Sequence, residues 1–478
     1  MGKIAIFGSS CNPPHLEHLD VVRTLVESGQ FDRIIVVPCG GRPKKPTVND
    51  IDPLHRAAMT DLAFRGIPGV EVDLFDLEES QFHTAARLES RYRRTGHEVW
   101  HAVGSDLVVE RPDGRGPEIR EDWEDGKRIW DELNWVVMDR GGYDLQHVQL
   151  PPHCLKMSRA GKVLSGTDVR SSAFERAPLD GLVTPEVAAY IERHNLYRGA
   201  PSRNMARIRL AEVRPFVVAD QYNERAVQIA TRIPSEPLES ANVIITLGGD
   251  GTMLRAVKDH WRRRIPFFGL NLGHAGYLMN TLSCVFEDHP YLLLEALAKD
   301  ELICRHLPLL RARYRRPGEF ADTECYAFND VWLERREIRP IVMGVTIHSG
   351  GYNHVLDCAM GDGVLMATAA GSTAYAQSMG AVPLSVESQE WLMIGNNIGR
   401  PNSGIPQIPL GRDSMVVVKV DQGDWRPARL CADTDVVCED VDRVAVNLSR
   451  AASAEIAFMP ETDLTLKLMS RRFPGRSC

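Results

Sequence analysis

About the first 200 residues alternate short apolar runs with helical patterns, and this alternation constrains the fold more than any other feature of the sequence. Apolar runs that predict strands cover residues 3–7, 33–37, 70–74, 100–103 and 135–138. Patterns that predict helices cover residues 15–28, 53–65, 82–94, 123–132 and 185–194. Strands separated by helices in this way form right-handed βαβ units and a parallel sheet. We therefore expect an α/β fold that binds ligands at the carboxyl ends of its strands.

The second half of the chain begins with a similar pattern and then changes. Strands are predicted at 215–219 and 242–246, with a helix at 223–232 between them. From about residue 302, β-type runs dominate, at 311–314, 342–348, 415–420, 443–448 and 464–468. The sequence thus predicts a first domain at 1–198, a linker with glycine and proline at 199–206, and a second domain at 207–478. The second domain divides into an α/β part, about 207–300, and an all-β subdomain, about 301–470.

Composition narrows the classes of partner and the compartment. The chain has 478 residues, of which 44% are hydrophobic, so it has apolar material for more than one core. A net charge of −8 provides no basic excess for a phosphate backbone, so we expect no nucleic-acid partner. No apolar run reaches the ~18 residues of a membrane span, and we expect no membrane partner. The ten cysteines form no C-x-x-C pair or zinc-like set, so we predict reduced thiols, a cytoplasmic location and no bound structural metal.

The loop after the first strand has the character of a phosphate site. It is Gly8-Ser9-Ser10-Cys11-Asn12-Pro13-Pro14, followed by His15-Leu16-Glu17-His18 at the start of a helix. Small residues let the backbone approach an anion, and the helix start offers free N–H groups. His15 and His18 share one helical face, where two imidazoles can stabilise a triphosphate. A capped helix with incidental histidines, or half of a metal site, would also account for the pair.

A second polar loop, Leu164-Ser165-Gly166-Thr167-Asp168-Val169-Arg170, also precedes a predicted helix. Its hydroxyls and N–H groups, with Arg170 one turn into the helix, suggest a second phosphate cradle. A plain helix cap is the alternative.

A third glycine loop lies in the second half, at Leu247-Gly248-Gly249-Asp250-Gly251-Thr252, between a predicted strand and a helix. Its glycines admit close approach of a phosphate, and Asp250 could accept the proton of a hydroxyl nucleophile. A turn with a capping aspartate would leave the same pattern.

The first half resembles a known family over about residues 1–198. Its G-S-x-x-N-P-P-H-x-x-H loop and later S-x-T-x-x-R are similar to the paired signatures of HxGH nucleotidylyltransferases. Gly104-Ser105-Asp106 and Asp122-Trp123 narrow the resemblance to nicotinate/nicotinamide mononucleotide adenylyltransferases, as does the segment that ends at Tyr197. Departures from that pattern are Glu17 for a glycine, Gly166 for a serine and Cys11 for an aromatic residue.

This resemblance implies a Rossmann-like fold and a set of site residues. The implied reaction is attack of the mononucleotide phosphate on the α-phosphorus of ATP, with Mg²⁺ as cofactor and pyrophosphate as leaving group. His15 and His18 would be catalytic, and Trp123 would stack on the pyridine ring, with Lys45 and Thr84 also on the mononucleotide side. The implied ATP-binding residues are Gly8, Ser9, Ser10, Asp106, Ser165, Thr167 and Arg170.

The second half resembles NAD kinase over about residues 205–470. The resemblance rests on G-G-D-G-T at 248–252, N-L-G-H-A-G-Y-L at 271–278, Asn329-Asp330, D-G-V-L at 362–365 and G-S-T-A-Y at 371–375. Three segments depart from the kinase pattern. Ala369-Ala370 replaces Pro-Thr, and the segment 394–398 replaces a stretch rich in proline and histidine. Cys431-Ala432-Asp433-Thr434-Asp435 replaces a Ser-x-Asp-Gly turn.

The kinase resemblance implies a general base and an NAD site. Asp250 would take the proton of the adenosine 2′-hydroxyl, Gly251 would lie against a phosphate, and Tyr277 would border the adenine. Asn329 and Asp330 would hold ribose hydroxyls. The nicotinamide side, formed partly by a neighbouring subunit of a homo-oligomer, would comprise Asp362, Thr373, Ala374, Tyr375 and Ser378.

Together the two resemblances predict a bifunctional fusion that makes a dinucleotide and then phosphorylates NAD to NADP, with ATP and Mg²⁺ at both sites. Direct hand-over favours nicotinamide mononucleotide, whereas motifs of the bacterial type accompany the acid form, so both substrates stay open. One alternative is an active adenylyltransferase fused to a non-catalytic, NAD-sensing domain. Another is a different acceptor, such as pantetheine phosphate.

Overall fold

The structure, a computed structural model, describes residues 2–41, 51–94, 96–112, 114–139, 148–158, 164–199, 205–210, 212–273, 276–281, 283–401 and 404–472. The chain forms two compact units, Met1–Pro201 and Ser202–Cys478, whose boundary falls inside the stretch predicted as a linker. Across these described ranges, none of the helices combines the length and apolarity needed to cross a bilayer.

A six-stranded parallel sheet forms the centre of the first unit, as predicted. Its strands are β1 (Lys3–Ser9), β2 (Arg33–Pro38), β3 (Val70–Val72), β4 (Glu98–Gly104), β5 (Asn134–Asp139) and β6 (Cys154–Ser158). Their order is β3-β2-β1-β4-β5-β6, and every neighbouring pair is parallel. The strand order therefore reverses between β1 and β4, where Rossmann-type sheets open a crevice for a ligand. Ile4, Ala5 and Ile6 are buried in succession because helices cover both faces.

The helices of the first unit connect these strands or, in the case of the last two, follow β6. They are α1 (Leu16–Glu27), α2 (Pro53–Phe64), α3 (Phe75–Glu79), α4 (Ala85–Arg93), α5 (Glu118–Asp122), α6 (Gly126–Glu132), α7 (Gly166–Phe174) and α8 (Pro185–Arg193), with a 3₁₀ turn at Ser105–Leu107. The single helix predicted at 123–132 was wrong in its extent. Trp123 is extended and Asp125 has a φ of 57°, which separates α5 from α6.

The second unit begins with an α/β part. Its strands are β7 (Met205–Ile208), β8 (Pro215–Ala219), β9 (Val243–Gly248), β10 (Phe267–Asn271) and β11 (Asn280–Thr281). Its helices are α9 (Glu224–Ala230), α10 (Asp250–His260), α11 (Cys284–Asp288) and α12 (Tyr291–Lys299), with a 3₁₀ turn at Trp261–Arg263. β8, β9 and β10 are parallel neighbours, so their carboxyl ends share one edge.

The remainder of the second unit is rich in β-strands, as predicted. The strands are β12 (Leu302–Arg315), β13 (Thr323–Ala327), β14 (Asp330–Arg335), β15 (Ile341–Ser349), β16 (Tyr352–Gly361), β17 (Gly363–Ala367), β18 (Trp391–Asn396), β19 (Ile408–Leu410), β20 (Met415–Asp421), β21 (Ala428–Ala432), β22 (Asp435–Cys438) and β23 (Arg443–Phe458). Short helical segments are Gly371–Thr373, which is 3₁₀, α13 (Tyr375–Ser378) and α14 (Leu464–Arg472).

These strands form two sheets that pack on a common apolar core. A six-stranded antiparallel sheet has the order β19-β18-β17-β14-β21-β22. The other sheet has eleven strands and runs β16-β15-β20-β23-β10-β9-β8, with β7, β11, β12 and β13 off this path. The long strand β23 pairs with β20 and β12 and, at its end, with β10. The β-rich part and the α/β part therefore share one sheet.

The strand predicted at 464–468 was wrong, because this segment is helix α14. The alternation of leucine with polar residues has the period of a strand. The preceding aspartate decides the outcome, since the Asp463 carboxylate accepts the backbone N–H of Leu466 at 2.9 Å and caps a helix.

Candidate active sites

The loop between β1 and α1 lies at the edge where the strand order of the first sheet reverses. His15 is the N-cap of α1, and its ring stacks on that of His18 with 3.7 Å between centroids. The His15 backbone N–H donates to Nδ1 of His18 at 3.3 Å, and Nε2 of His18 lies 2.9 Å from the Ser9 hydroxyl. Ser9, His15 and His18 therefore form one polar group at the carboxyl end of β1.

A buried arginine that is not among the predicted residues holds this loop. Arg56 of α2 is 2% exposed, and its guanidinium donates to the Ser10 carbonyl at 2.6 and 3.1 Å and to the Cys39 carbonyl. A charged residue inside the apolar run of α2 was the only signal for it in the sequence. Burial raises the pKa of the Cys11 thiol to about 12, so Cys11 is a neutral packing residue of the loop.

The second polar loop, at the start of α7, meets the first. One terminal nitrogen of Arg170 donates to the Asn12 carbonyl at 2.7 Å, and the other donates to the Thr167 hydroxyl at 3.0 Å. A Cβ at Gly166 would lie 3.0 Å from the Asn12 carbonyl oxygen, so glycine allows this close approach. The structure thus brings Thr167 and Arg170 beside the histidine loop.

Ser165 caps α7. Its hydroxyl accepts the Asp168 backbone N–H at 3.2 Å and donates to the Asp168 carboxylate at 2.7 Å. The hydrogen bond from the Ser165 hydroxyl, and a second from the Ser165 backbone N–H at 3.1 Å, lower the pKa of the Asp168 carboxyl. The cap, which was the simpler interpretation of this loop, is therefore present, and a contact of Ser165 with phosphate stays a prediction.

Glu17 makes a further connection between the two loops. Its side chain is 2% exposed, and its carboxylate accepts the backbone N–H of Leu164 at 2.8 Å. Leu164 immediately precedes the cap of α7, so Glu17 holds the start of α1 against the start of α7. The resemblance placed a glycine at this position, and the structure shows what the larger residue contacts.

The residues predicted to bind the mononucleotide, together with Asp106, come from separate segments of the first unit. Lys45 lies outside the described residues. Thr84 is the N-cap of α4, and its hydroxyl oxygen is buried with no hydrogen-bond partner among the described residues. Trp123 is half-buried, and its ring lies edge-on to Trp135 at 6.2 Å. Asp106 lies in the 3₁₀ turn after β4.

In the second unit, Asp250 is the first residue of α10 at the carboxyl end of β9. Its carboxylate accepts the backbone N–H groups of Tyr277 and Leu278, each at 3.0 Å. Gly248 has a φ of 154°, and a Cβ there would lie 2.3 Å from the Thr252 hydroxyl, so glycine is required. The loop therefore holds a half-buried carboxylate in a fixed orientation at the strand ends.

A cleft of about 720 Å³ opens beside this loop. Its lining residues come from the whole length of α10, the segment after β8 and the turn before β22, and include Gly249, Gly251, Arg255, Lys258, Asp220 and Thr434. The glycine backbone and the basic side chain of Arg255 in this lining give the cleft the character of a phosphate-binding site.

A carboxylate from a distant segment fixes the bend at Asn329 and Asp330. The Asp433 carboxylate accepts the backbone N–H groups of Phe328, Asn329 and Asp330 at 2.9, 2.7 and 3.3 Å. On the other side, the Asn329 carbonyl accepts the N–H of Thr368 at 2.9 Å. Asp433 belongs to the 431–435 turn that departs from the kinase pattern, so this departing turn positions the predicted ribose-binding residues.

Burial and the nearby charge of Asp433 raise the pKa of Asp330 to about 7. Burial also raises the pKa of Asp433, while its three backbone N–H donors act in the opposite direction by stabilising the carboxylate. Asp330 therefore carries a proton over much of the range below neutral pH.

Of two further predicted NAD-binding residues, Tyr277 is buried and Asp362 lies away from this bend. Tyr277 is 1% exposed, and its hydroxyl accepts the backbone N–H of Val386 at 3.2 Å. Asp362 precedes β17, and its carboxylate forms an ion pair with Arg335 at 2.9 Å. In the antiparallel register of β14 and β17, Asp330 lies opposite Ala367, at the other end of β17. At ~3.3 Å per residue, Asp362 and the bend are about 15 Å apart along the sheet. The structure therefore does not bring Asp362 to the bend of its own chain.

The residues after Thr368 lie closer to the bend. A Cβ at Gly371 would lie 2.0 Å from the Asn329 carbonyl oxygen, so this segment packs directly on it. The Thr373 hydroxyl donates to the Ala370 carbonyl at 3.0 Å, and Ala374 follows it, half-buried. Tyr375 is 43% exposed, with its ring 4.6 Å from Trp332, and Ser378 is exposed.

Comparisons with known proteins match both halves of the chain. Residues 6–172 match the model of the cytidylyltransferase-like family, and residues 187–301 match that of the ATP-NAD kinase N-terminal domain. A protein of Roseiflexus castenholzii named probable nicotinate-nucleotide adenylyltransferase is 26% identical over 41% of this chain and 98% of its own length.

Two bacterial proteins named NAD kinase are also similar to this chain. The protein of Xylella fastidiosa is 30% identical over 49% of this chain and 85% of its own length. The protein of Xanthomonas oryzae pv. oryzae is 29% identical over 52% of this chain and 91% of its own length.

Substituting Glu17 tests whether it joins the two loops of the first unit. Glu17→Ala leaves the Leu164 N–H without this acceptor, so we expect a loss of about 1–3 kcal/mol in the free energy of unfolding. Glu17→Gln keeps an acceptor oxygen and should lose less. Urea denaturation measures both, with the exposed Glu27→Ala of the same helix as the control. Equal stability of the alanine variant and the unsubstituted chain would contradict this role.

The raised pKa of Asp330 predicts a pH-dependent stability. The folded state favours the protonated carboxyl of Asp330. Its stabilising contribution to the free energy of unfolding is therefore fully present below pH ~4 and is lost as the pH rises through about 7. Asp330→Asn removes this dependence. We expect its stability relative to the unsubstituted chain to increase by roughly 2–4 kcal/mol between pH 4 and pH 8.

Urea denaturation at several pH values measures that difference. The exposed Asp413→Asn, measured at the same pH values, is the matched control. A difference for Asp330→Asn that stays constant with pH would contradict the raised pKa of Asp330.

Proposed function

The chain belongs to the NAD kinase family, and because its first half also matches a nucleotidyltransferase family, we infer that it is a bifunctional enzyme of NAD and NADP biosynthesis. The first half transfers an adenylyl group from ATP to a pyridine mononucleotide, and the second phosphorylates NAD. One observation carries this conclusion: each unit holds a glycine loop at the carboxyl end of a parallel strand, and the polar side chains expected to react lie at that loop.

In the proposed first reaction, an oxygen of the mononucleotide phosphate attacks the α-phosphorus of ATP and pyrophosphate leaves. His15 and His18 stand where imidazole N–H groups can donate to the phosphates, and Arg170 adds a cation. These groups stabilise the charge that moves onto the leaving pyrophosphate. The three connections between the loops, through Arg170, Glu17 and Gly166, support a site that is arranged before substrate binds.

In the proposed second reaction, the 2′-hydroxyl oxygen of the NAD adenosine attacks the γ-phosphorus of ATP and ADP leaves. Asp250 accepts the hydroxyl proton, and the two backbone N–H groups on its carboxylate keep it oriented. Asn329 and Asp330 hold ribose hydroxyls. With a pKa of about 7, Asp330 can donate its own proton to one hydroxyl and accept from another.

We propose Mg²⁺ as the metal that accompanies ATP in both reactions, where it would neutralise phosphate charge. Such Mg²⁺ takes most of its ligands from phosphates and water, so it needs only one or two protein carboxylates. Asp106 in the turn after β4 is suited to this in the first unit, and Asp220 beside the cleft in the second. The described residues hold no group of three carboxylates built for a resident metal.

We also propose that a second copy of the chain completes the nicotinamide side of the kinase site. The separation of Asp362 from the bend, and the exposure of Tyr375 and Ser378, support this arrangement. A cytoplasmic location is proposed as well, since the described cysteines are free thiols.

Product analysis tests both activities in one chain. The chain is incubated with ATP and Mg²⁺ together with nicotinamide mononucleotide, nicotinic acid mononucleotide or NAD, and each product is identified by mass. We expect a dinucleotide from at least one mononucleotide and NADP from NAD. A marked preference for the acid would exclude direct hand-over, because its product needs amidation before it becomes NAD.

Two variants separate the activities. His18→Ala should lower dinucleotide formation by about 10²–10⁴-fold and leave NADP formation intact, and Asp250→Asn should do the reverse. In each variant the retained activity shows that the chain is present and that its unsubstituted unit is folded. Equal ATP consumption with NAD by Asp250→Asn and the unsubstituted chain would remove Asp250 from its proposed role, and no NAD-dependent consumption by either would favour the non-catalytic, NAD-sensing alternative.

A further inference from the structure

The turn at residues 431–435 contacts both the acceptor side and the catalytic side of the proposed kinase site. Asp433 clamps the bend at Asn329 and Asp330 through three backbone N–H groups. Two positions further along, the Asp435 carboxylate pairs with Nζ of Lys258 at 2.6 Å. The Thr434 hydroxyl, between them, lies 3.3 Å from the same nitrogen. One short turn therefore connects the bend to helix α10.

Helix α10 transmits this connection to the catalytic carboxylate. Asp250 is the first residue of the helix, and Lys258 lies eight residues later, about 12 Å along the axis. An α-helix of three turns is a rigid spacer, so a contact at Lys258 fixes the direction in which Asp250 is presented. On the other side, β21 pairs with β14 from Val331 onward, which fixes the turn relative to the bend.

We propose that Lys258 and Asp435 are positioning residues of the kinase reaction: their ion pair sets the distance between the Asp250 carboxylate and a ribose held at Asn329 and Asp330. This role rests on the proposed function of the second unit. Neither side chain touches the reacting atoms, since Lys258 is two helical turns from Asp250 and Asp435 is two residues beyond Asp433, which holds the bend.

The exposure of the pair indicates that its effect falls on geometry more than on stability. The side chains of Lys258 and Asp435 are 30% and 53% exposed, and ion pairs at this exposure contribute little to folding. The rate of phosphoryl transfer is far more sensitive to geometry than folding is, because a misplacement of about 1 Å can cost on the order of 100-fold in rate. The pair can therefore govern turnover while leaving the fold intact.

Three variants test this role by steady-state NAD phosphorylation: Lys258→Met, Asp435→Asn, and the charge exchange of Lys258→Asp with Asp435→Lys. We expect each single variant to lower kcat about 2- to 5-fold with the KM for ATP unchanged within about twofold. The exchanged pair should recover most of the lost kcat. Adenylyl transfer by the first half of the same chain should stay constant, and an unchanged urea denaturation midpoint of the second unit reports that the variants are folded.

A matched control is the Arg263–Glu239 pair, which is also exposed, has a 2.9 Å contact and follows α10 without reaching the 431–435 turn. Arg263→Met and Glu239→Gln should leave kcat unchanged. If Lys258 instead binds the donor directly, Lys258→Met would raise the KM for ATP and Asp435→Asn would lower it, and this pair of opposite shifts would overturn the positioning role.

Two other outcomes separate this inference from the proposed function. Unchanged kcat in both single variants would reject the positioning role and leave the kinase assignment in place. No phosphorylation of NAD by the unsubstituted chain would reject the kinase assignment itself, and the positioning role with it.

Discussion

The proposed sites of this protein depend on one interaction: a carboxylate that accepts backbone N–H groups from a segment distant in sequence. Asp433 accepts three such groups at the bend of Asn329 and Asp330, Asp250 accepts two at the glycine loop of α10, and Glu17 accepts one ahead of α7. Loops lack the internal hydrogen bonds of helices and strands, so their N–H groups need partners from elsewhere. A carboxylate is a strong acceptor with two oxygens, and it can hold a loop in one conformation.

This interaction also explains which parts of the sites the sequence could predict. The alternation of strands and helices and the position of each glycine loop follow from local periodicity and small residues, and the structure confirms both. The partners of the loops do not follow, because Glu17 and Leu164 are 147 residues apart and Asp433 and Asn329 are 104 apart. No local pattern records such a pairing. Arg56 and Asp433 could be recognised only as charged residues at places where burial is expected.

The same reasoning bears on the departures from the family patterns. Glu17 has the bulk to reach a backbone N–H that a glycine could not reach, and Gly166 leaves room for the Asn12 carbonyl oxygen, which would lie only 3.0 Å from a Cβ at this position. A serine at 166 would press on that carbonyl, so each of the two departures favours close contact between the same two loops. In the second unit, Thr434 and Asp435 give the 431–435 turn two contacts with Lys258.

Asp330 and Asp433 show how neighbouring buried carboxylates come to have different roles. Burial raises the pKa of both, but only Asp433 receives three backbone N–H donors that stabilise its charge. The negative charge that stays on Asp433 then raises the pKa of Asp330 further, to about 7. The charged member holds the backbone, and the protonated member keeps a hydrogen that can be donated to a ribose hydroxyl. A clamp built from an amide would hold the bend less firmly and would not raise the pKa of its neighbour, so the carboxylate at 433 does what asparagine could not.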